Sequence, residues 1–123
     1  MTTQNANFSI VRGDTIKRKI FVRDDDGVAI NLVNRSILFT AKKSIIDSDD
    51  NAVLKKTFTF EEGDTEALVG LGYLRFTSEE TEIPPSVYYY DIQLVDNSAD
   101  VPTIETILFG KFIVAHDVTR RVE

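Results

Sequence analysis

The chain has 123 residues, 20 of them acidic and 14 basic, for a net charge of -6, and it contains no cysteine. This length suits one domain whose core needs no covalent staples, and the lack of cysteine excludes disulfides and thiolate chemistry. The acidic balance disfavours nonspecific nucleic-acid binding, which needs a basic surface.

Taken in chain order, the polar start Met1-Thr2-Thr3-Gln4-Asn5-Ala6-Asn7 has neither the basic nor the apolar part of an export signal. Residues 1–6 are expected to be flexible, and no apolar run approaches the roughly 20 residues of a membrane helix. Phe8 to Val11 reads as a first strand, ended by Arg12-Gly13-Asp14. Thr15 to Arg23 reads as a second, with Ile16, Ile20 and Val22 on one face and Lys17 and Lys19 on the other. Phe21 breaks that alternation and suggests a bulge or a partly covered second face. Asp24-Asp25-Asp26-Gly27 is a turn signal. Ser36 to Lys43 follows with Ile37, Phe39 and Ala41 inward, then a polar loop from Ser44 to Asn51. Val53 to Phe60 alternates, with Lys56 on the apolar side and so placed near the strand's end. A loop is expected from Glu61 to Leu71, then a strand from Gly72 to Thr77, with one helical turn at Ser78-Glu79-Glu80-Thr81.

Past the break at Pro84-Pro85, Tyr88-Tyr89-Tyr90-Asp91-Ile92-Gln93-Leu94 puts Tyr88, Tyr90, Ile92 and Leu94 at even positions and mostly polar residues between them. This is a half-buried strand written at period two. The last strand, Thr103 to Ala115, is apolar on both faces: Leu108, Phe112 and Val114, and Ile107, Phe109 and Ile113. Gly110 in its middle marks a bulge or a close backbone contact. The tail, 117–123, reads as polar and flexible. About seven strands with no sustained helical period predict an all-β, two-sheet sandwich or barrel.

Few residues suggest catalysis or metal binding. Arg12-Gly13-Asp14 spells an integrin-binding triplet, yet its place between two strands predicts a tight connection. Asp47, Asp49 and Asn51 match the first ligand positions of an EF-hand, but Ala52 and Phe58 stand where that loop needs Gly and Glu, so no metal site is assigned. His116 beside Asp117 lacks a serine in a nucleophile context. Glu61-Glu62 and Glu79-Glu80 read as surface charge, and Asn34-Arg35-Ser36 as an unused glycosylation sequon. No catalytic residue and no cofactor is expected. Tyr89 is the expected exposed tyrosine of its triplet, and it is grouped with Ile107, Phe109 and Ile113 as a candidate interface.

The order of these pieces carries a resemblance. Phe8…Arg12-Gly13-Asp14-Thr15, the Asp26-Gly27 turn, Asn31-Leu32 and Phe39-Thr40-Ala41-Lys42-Lys43 come first. Tyr73-Leu74-Arg75-Phe76-Thr77 with Glu80-Thr81, Tyr88 to Leu94, and Gly110-Lys111-Phe112-Ile113-Val114…Asp117-Val118-Thr119-Arg120 follow. Together they resemble the tail and baseplate-type structural proteins of tailed bacteriophages, above all the N-terminal domain of siphophage baseplate upper proteins. The resemblance implies an immunoglobulin-like two-sheet β-sandwich of about seven antiparallel strands, with no active site. It implies a virion building block in tail, baseplate or neck, made in the host cytoplasm. The expected partners are other virion proteins and further copies of the chain, with no nucleic acid, membrane or small-molecule ligand. In such relatives a longer C-terminal part carries the receptor-binding device; this sequence ends at Glu123, so a receptor-binding role is not expected. The alternative is a carbohydrate or cell-surface binding module with a calcium-binding acidic loop.

Overall fold

The computed structural model describes residues 4–44, 46, 51–96 and 100–117. They form β1 (Gln4–Asn5), β2 (Phe8–Val11), β3 (Ile16–Phe21), β4 (Arg35–Lys42), β5 (Leu54–Thr59), α1 (Thr65–Leu68), β6 (Leu71–Phe76), β7 (Ser86–Asp96) and β8 (Thr103–Ala115). The protein is therefore mostly β, as the period-two pattern predicts. A broad sheet runs in the order β1-β8-β7-β4-β5, with β2 also on β8, and a narrow sheet pairs β3 with β6.

The inward positions of both sheets meet in one core. Ile37, Phe39 and Ala41 of β4 are fully buried, as their alternation predicts. Phe39 is the centre of an aromatic cluster. Its ring lies 5.1 Å from Phe76 of the narrow sheet, 5.4 Å from Phe112, and 5.5 Å from Tyr90, on which it stacks. These are the separations at which ring pairs add stability beyond the area they bury. The two sheets are also stitched at both seams by long cationic side chains. Arg18 of β3 donates to Ser9 O at 2.8 Å, and Lys56 of β5 donates to Arg75 O at 2.7 Å.

Several expectations need correction. The strands are not all antiparallel: β1 and β2 run parallel to β8, from Gln4 opposite Leu108 to Val11 opposite Ala115, with one constant offset. Two segments separated by the whole domain are free of the hairpin geometry that makes chain neighbours antiparallel. Gln4 and Asn5, expected to be flexible, are part of that ladder; residues 1–3 and 118–123 lie outside the described ones. Lys56 is mid-strand, opposite Phe39. Its ammonium group lies 5.5 and 5.6 Å from the Phe58 and Phe76 ring centres and reaches Glu80 Oε1 at 2.8 Å, so the charge is paired at the edge of the core. Phe21 lies on the outer face with no register shift in its ladder; the alternation of Ile16, Ile20 and Val22 continues past it. The loop at 61–71 contains α1, capped by Asp64 Oδ1, which accepts from Glu66 N and Ala67 N.

The turn at 78–81 is present, held by a reciprocal box. Thr77 Oγ1 accepts from Glu80 N at 3.1 Å, and Glu80 Oε1 accepts from Thr77 N at 2.8 Å. Beside it, fully buried Thr81 donates its hydroxyl to Asp14 O at 2.7 Å. Its carbonyl accepts from Gly13 N at 3.2 Å. Arg12-Gly13-Asp14 is thus tied down against the Thr81 turn, with Gly13 buried at φ 82°, and does not project as a loop tip.

Candidate interaction face

The outer face of the broad sheet gathers three of the four residues singled out from the sequence. Strand alternation and register decide which. Tyr89 lies between Lys42 of β4 and Lys111 of β8; Asp91 lies between Thr40 and Phe109; Val87 lies opposite Ile113. Tyr89 and Phe109 are 39% and 42% exposed, and Val87 is exposed as well, while Ile113 is half-buried. A groove of about 570 Å³ opens on this face, with Tyr89, Phe109, Asp91, Gln93, Lys111 and Asn7 among its walls.

Ile107 does not belong to it. In the β7–β8 ladder Ile92 is opposite Leu108, but Gln93 is opposite Thr106, so Ile107 is the extra residue of a β-bulge. The bulge turns its side chain inward, where it is only 6% exposed. The bulge therefore falls at Ile107 and not at Gly110. Three consecutive apolar residues, Ile107-Leu108-Phe109, are the sequence signal that alternation stops there.

Gly110 has the other function expected of it, a close backbone contact. A Cβ at Gly110 would stand 2.2 Å from Ala6 O, far inside van der Waals contact. Ala6 N donates to Phe109 O at 2.9 Å, Asn7 Oδ1 accepts from Lys111 N at 3.2 Å, and Tyr90 donates its hydroxyl to Ala6 O. Burial raises the Tyr90 phenol above its ordinary value, because the charged phenolate would have to give up its water. These contacts hold the β1–β2 edge against the face and fix one wall of the groove.

The remaining candidates are dispersed. His116 is exposed, and Asp117 pairs with Arg12 at 3.6 Å. Glu80 is engaged with Lys56, whereas Glu61, Glu62 and Glu79 are exposed. Asp47 and Asp49 lie outside the described residues. Among the described residues no group of three or more His, Asp or Glu is placed to hold a metal ion. No protein-family model matches the chain, and comparison with curated proteins gave no match.

Proposed function

We propose that this chain is a non-enzymatic structural protein of a tailed-bacteriophage virion, in tail, baseplate or neck, and that it works by assembling with other virion proteins or with itself. The observation that carries the assembly reading is the cluster of Val87, Tyr89, Phe109 and Ile113 in the middle of the broad sheet. Burying a side chain of this kind is worth about 1.5 to 3 kcal/mol, so a few of them suffice to anchor an interface. The phage assignment rests on the resemblance in element order and turn residues described above.

The finer fold reading, an immunoglobulin-like sandwich, belongs to this proposal. In that fold the second and fifth strands pair in one sheet while the third, sixth and seventh form the other. Here β3 pairs with β6, and β4, β7 and β8 lie side by side, with β5 as an added edge next to β4. Tyr88, near the start of β7, donates its hydroxyl to Pro84 O, as a tyrosine-corner residue does.

Changing Phe109 to Asp tests the assembly reading. The variant is expected to stay folded and to lose self-association or capture of a tail partner, as measured by sedimentation. An unchanged association state would overturn the role of this face, and flanking genes unrelated to phage tails would overturn the virion assignment. The alternative, a carbohydrate or cell-surface module, draws on the amides and Asp91 beside the exposed Tyr89 and Phe109 rings in the groove. Glycan binding lost in the same variant, with its mass unchanged, would favour it.

A further inference from the structure

We infer that the outer face of the narrow sheet is a second docking surface, built for a carboxylate-rich segment of a partner protein. The register sets Lys17 opposite Arg75 and Lys19 opposite Tyr73. Lys17, Lys19, Arg23 and Arg75 are all exposed. Like charges directly opposite one another on a sheet face are destabilising, so the Lys17–Arg75 pair is unfavourable to the isolated fold.

Two rings take up part of that charge. Lys17 Nζ lies 4.5 Å from the Tyr73 ring centre, and Arg75 Cζ lies 5.4 Å from the same ring. Arg23 Cζ and Lys19 Nζ lie 5.3 and 6.0 Å from Phe21, which is 53% exposed. Cation–π contacts at exposed sites are weak, and the cations stay open to a stronger counter-charge. Tyr73 donates its hydroxyl to Glu66 Oε2 at 3.1 Å, so one carboxylate already borders this face.

The setting selects the occupant. The chain carries -6, and setting these four positive charges aside (-6 - 4) leaves -10 for the rest. Any polyanion approaching such a chain meets long-range repulsion, so this face takes its occupant by contact and not by the long-range attraction on which nucleic-acid binders rely. A protein segment in contact feels mainly the cations within a screening length of about 8 to 10 Å. Lys17 and Lys19 are two residues apart on one strand, roughly 7 Å, the spacing of alternate side chains in an extended acidic segment. Arginine and exposed aromatic rings together are what protein interfaces concentrate.

The test titrates poly-L-glutamate, and separately an oligodeoxythymidylate of equal charge, into the full chain at low and physiological salt. Poly-L-glutamate is expected to bind more tightly than the oligonucleotide, and more tightly at low salt. Lys17→Glu with Arg75→Glu should weaken it by roughly tenfold or more, as loss of a complementary charge pair does. The same charge change at Lys43→Glu with Lys55→Glu should leave it unaltered. The milder Lys17→Gln with Arg75→Gln should shift binding in the same direction, which keeps the test decisive if the reversal disturbs folding. Absence of poly-L-glutamate binding, equal losses in both reversed pairs, or tighter oligonucleotide binding would overturn the inference. So would salt-sensitive self-association abolished by Lys17→Glu with Arg75→Glu, which would give the face to a second copy.

Discussion

On the broad sheet Tyr89 and Phe109 stand among amides, a threonine and charges of both signs, whereas on the narrow sheet Tyr73 and Phe21 stand between lysines and arginines. Both faces lie outside one shared core, and both expose aromatic rings. Their neighbours make them different surfaces. The rings of the broad sheet border a groove of mixed character and gain most by leaving water. The rings of the narrow sheet are platforms that hold cations outward. An exposed ring therefore does not name its partner; the residues one register step away do.

The largest expected effect tests where the broad face ends. Ile107→Ala should cost about 2 to 5 kcal/mol, the range for truncating a buried isoleucine, while Phe109→Ala should stay within about 0.5 kcal/mol, as exposed substitutions do. Urea denaturation of the two variants measures both. Equal costs would mean that Ile107 and Phe109 share an environment, and the face drawn here would be wrong.

Next in size is the edge beside that face. Gly110→Ala forces a methyl group against the Ala6 carbonyl, a backbone atom that cannot swing aside. Overfilling of this kind costs about 1 to 3 kcal/mol. Hydrogen exchange should show the Ala6 amide losing protection while the β3–β6 amides keep theirs. A loss spread evenly over both sheets would show that the edge does not open independently.

The smallest effect sharpens the seam between the two sheets. The bond from Lys56 holds the Glu80 carboxyl below its ordinary value of 4.5, with the Thr77 amide adding to it. A lowered native value means stability that is present above 4.5 and lost as pH falls through the native value. Both side chains are about a third exposed, so solvent screening limits the pair to at most about 1 kcal/mol. Lys56→Met should lower neutral-pH stability by that much or less and flatten the acid limb of a melting-temperature profile. An unchanged acid limb would remove the pair from the seam's stability.

Much of the fold was legible because period two is a local signal. Phe8 to Val11 and Thr103 to Ala115 emerge with the bounds read from the sequence, and Ile37, Phe39 and Ala41 point inward as read. Strand partners were not legible. Nothing near Phe8 announces Phe112, and nothing near Lys17 announces Arg75, since both pairings join segments far apart in sequence. This is why the alternation of Lys17 and Lys19 was visible but the cationic face was not. Tyr89, Phe109 and Ile113 could be placed from alternation alone; Ile107 could not, because a bulge reverses the alternation at a single residue. The four residues of α1 are too few to show a helical period.

The parallel ladder of β1 and β2 on β8 has a mechanical consequence. Gln4 lies beside Leu108, seven residues before Ala115, so the two ends of the ladder are roughly 23 Å apart along one direction. Tension applied at Gln4 and Ala115 runs along the strands, and the backbone bonds of the ladder share the load together. Pulled this way, the domain shears at that seam; it does not peel open bond by bond as a hairpin would.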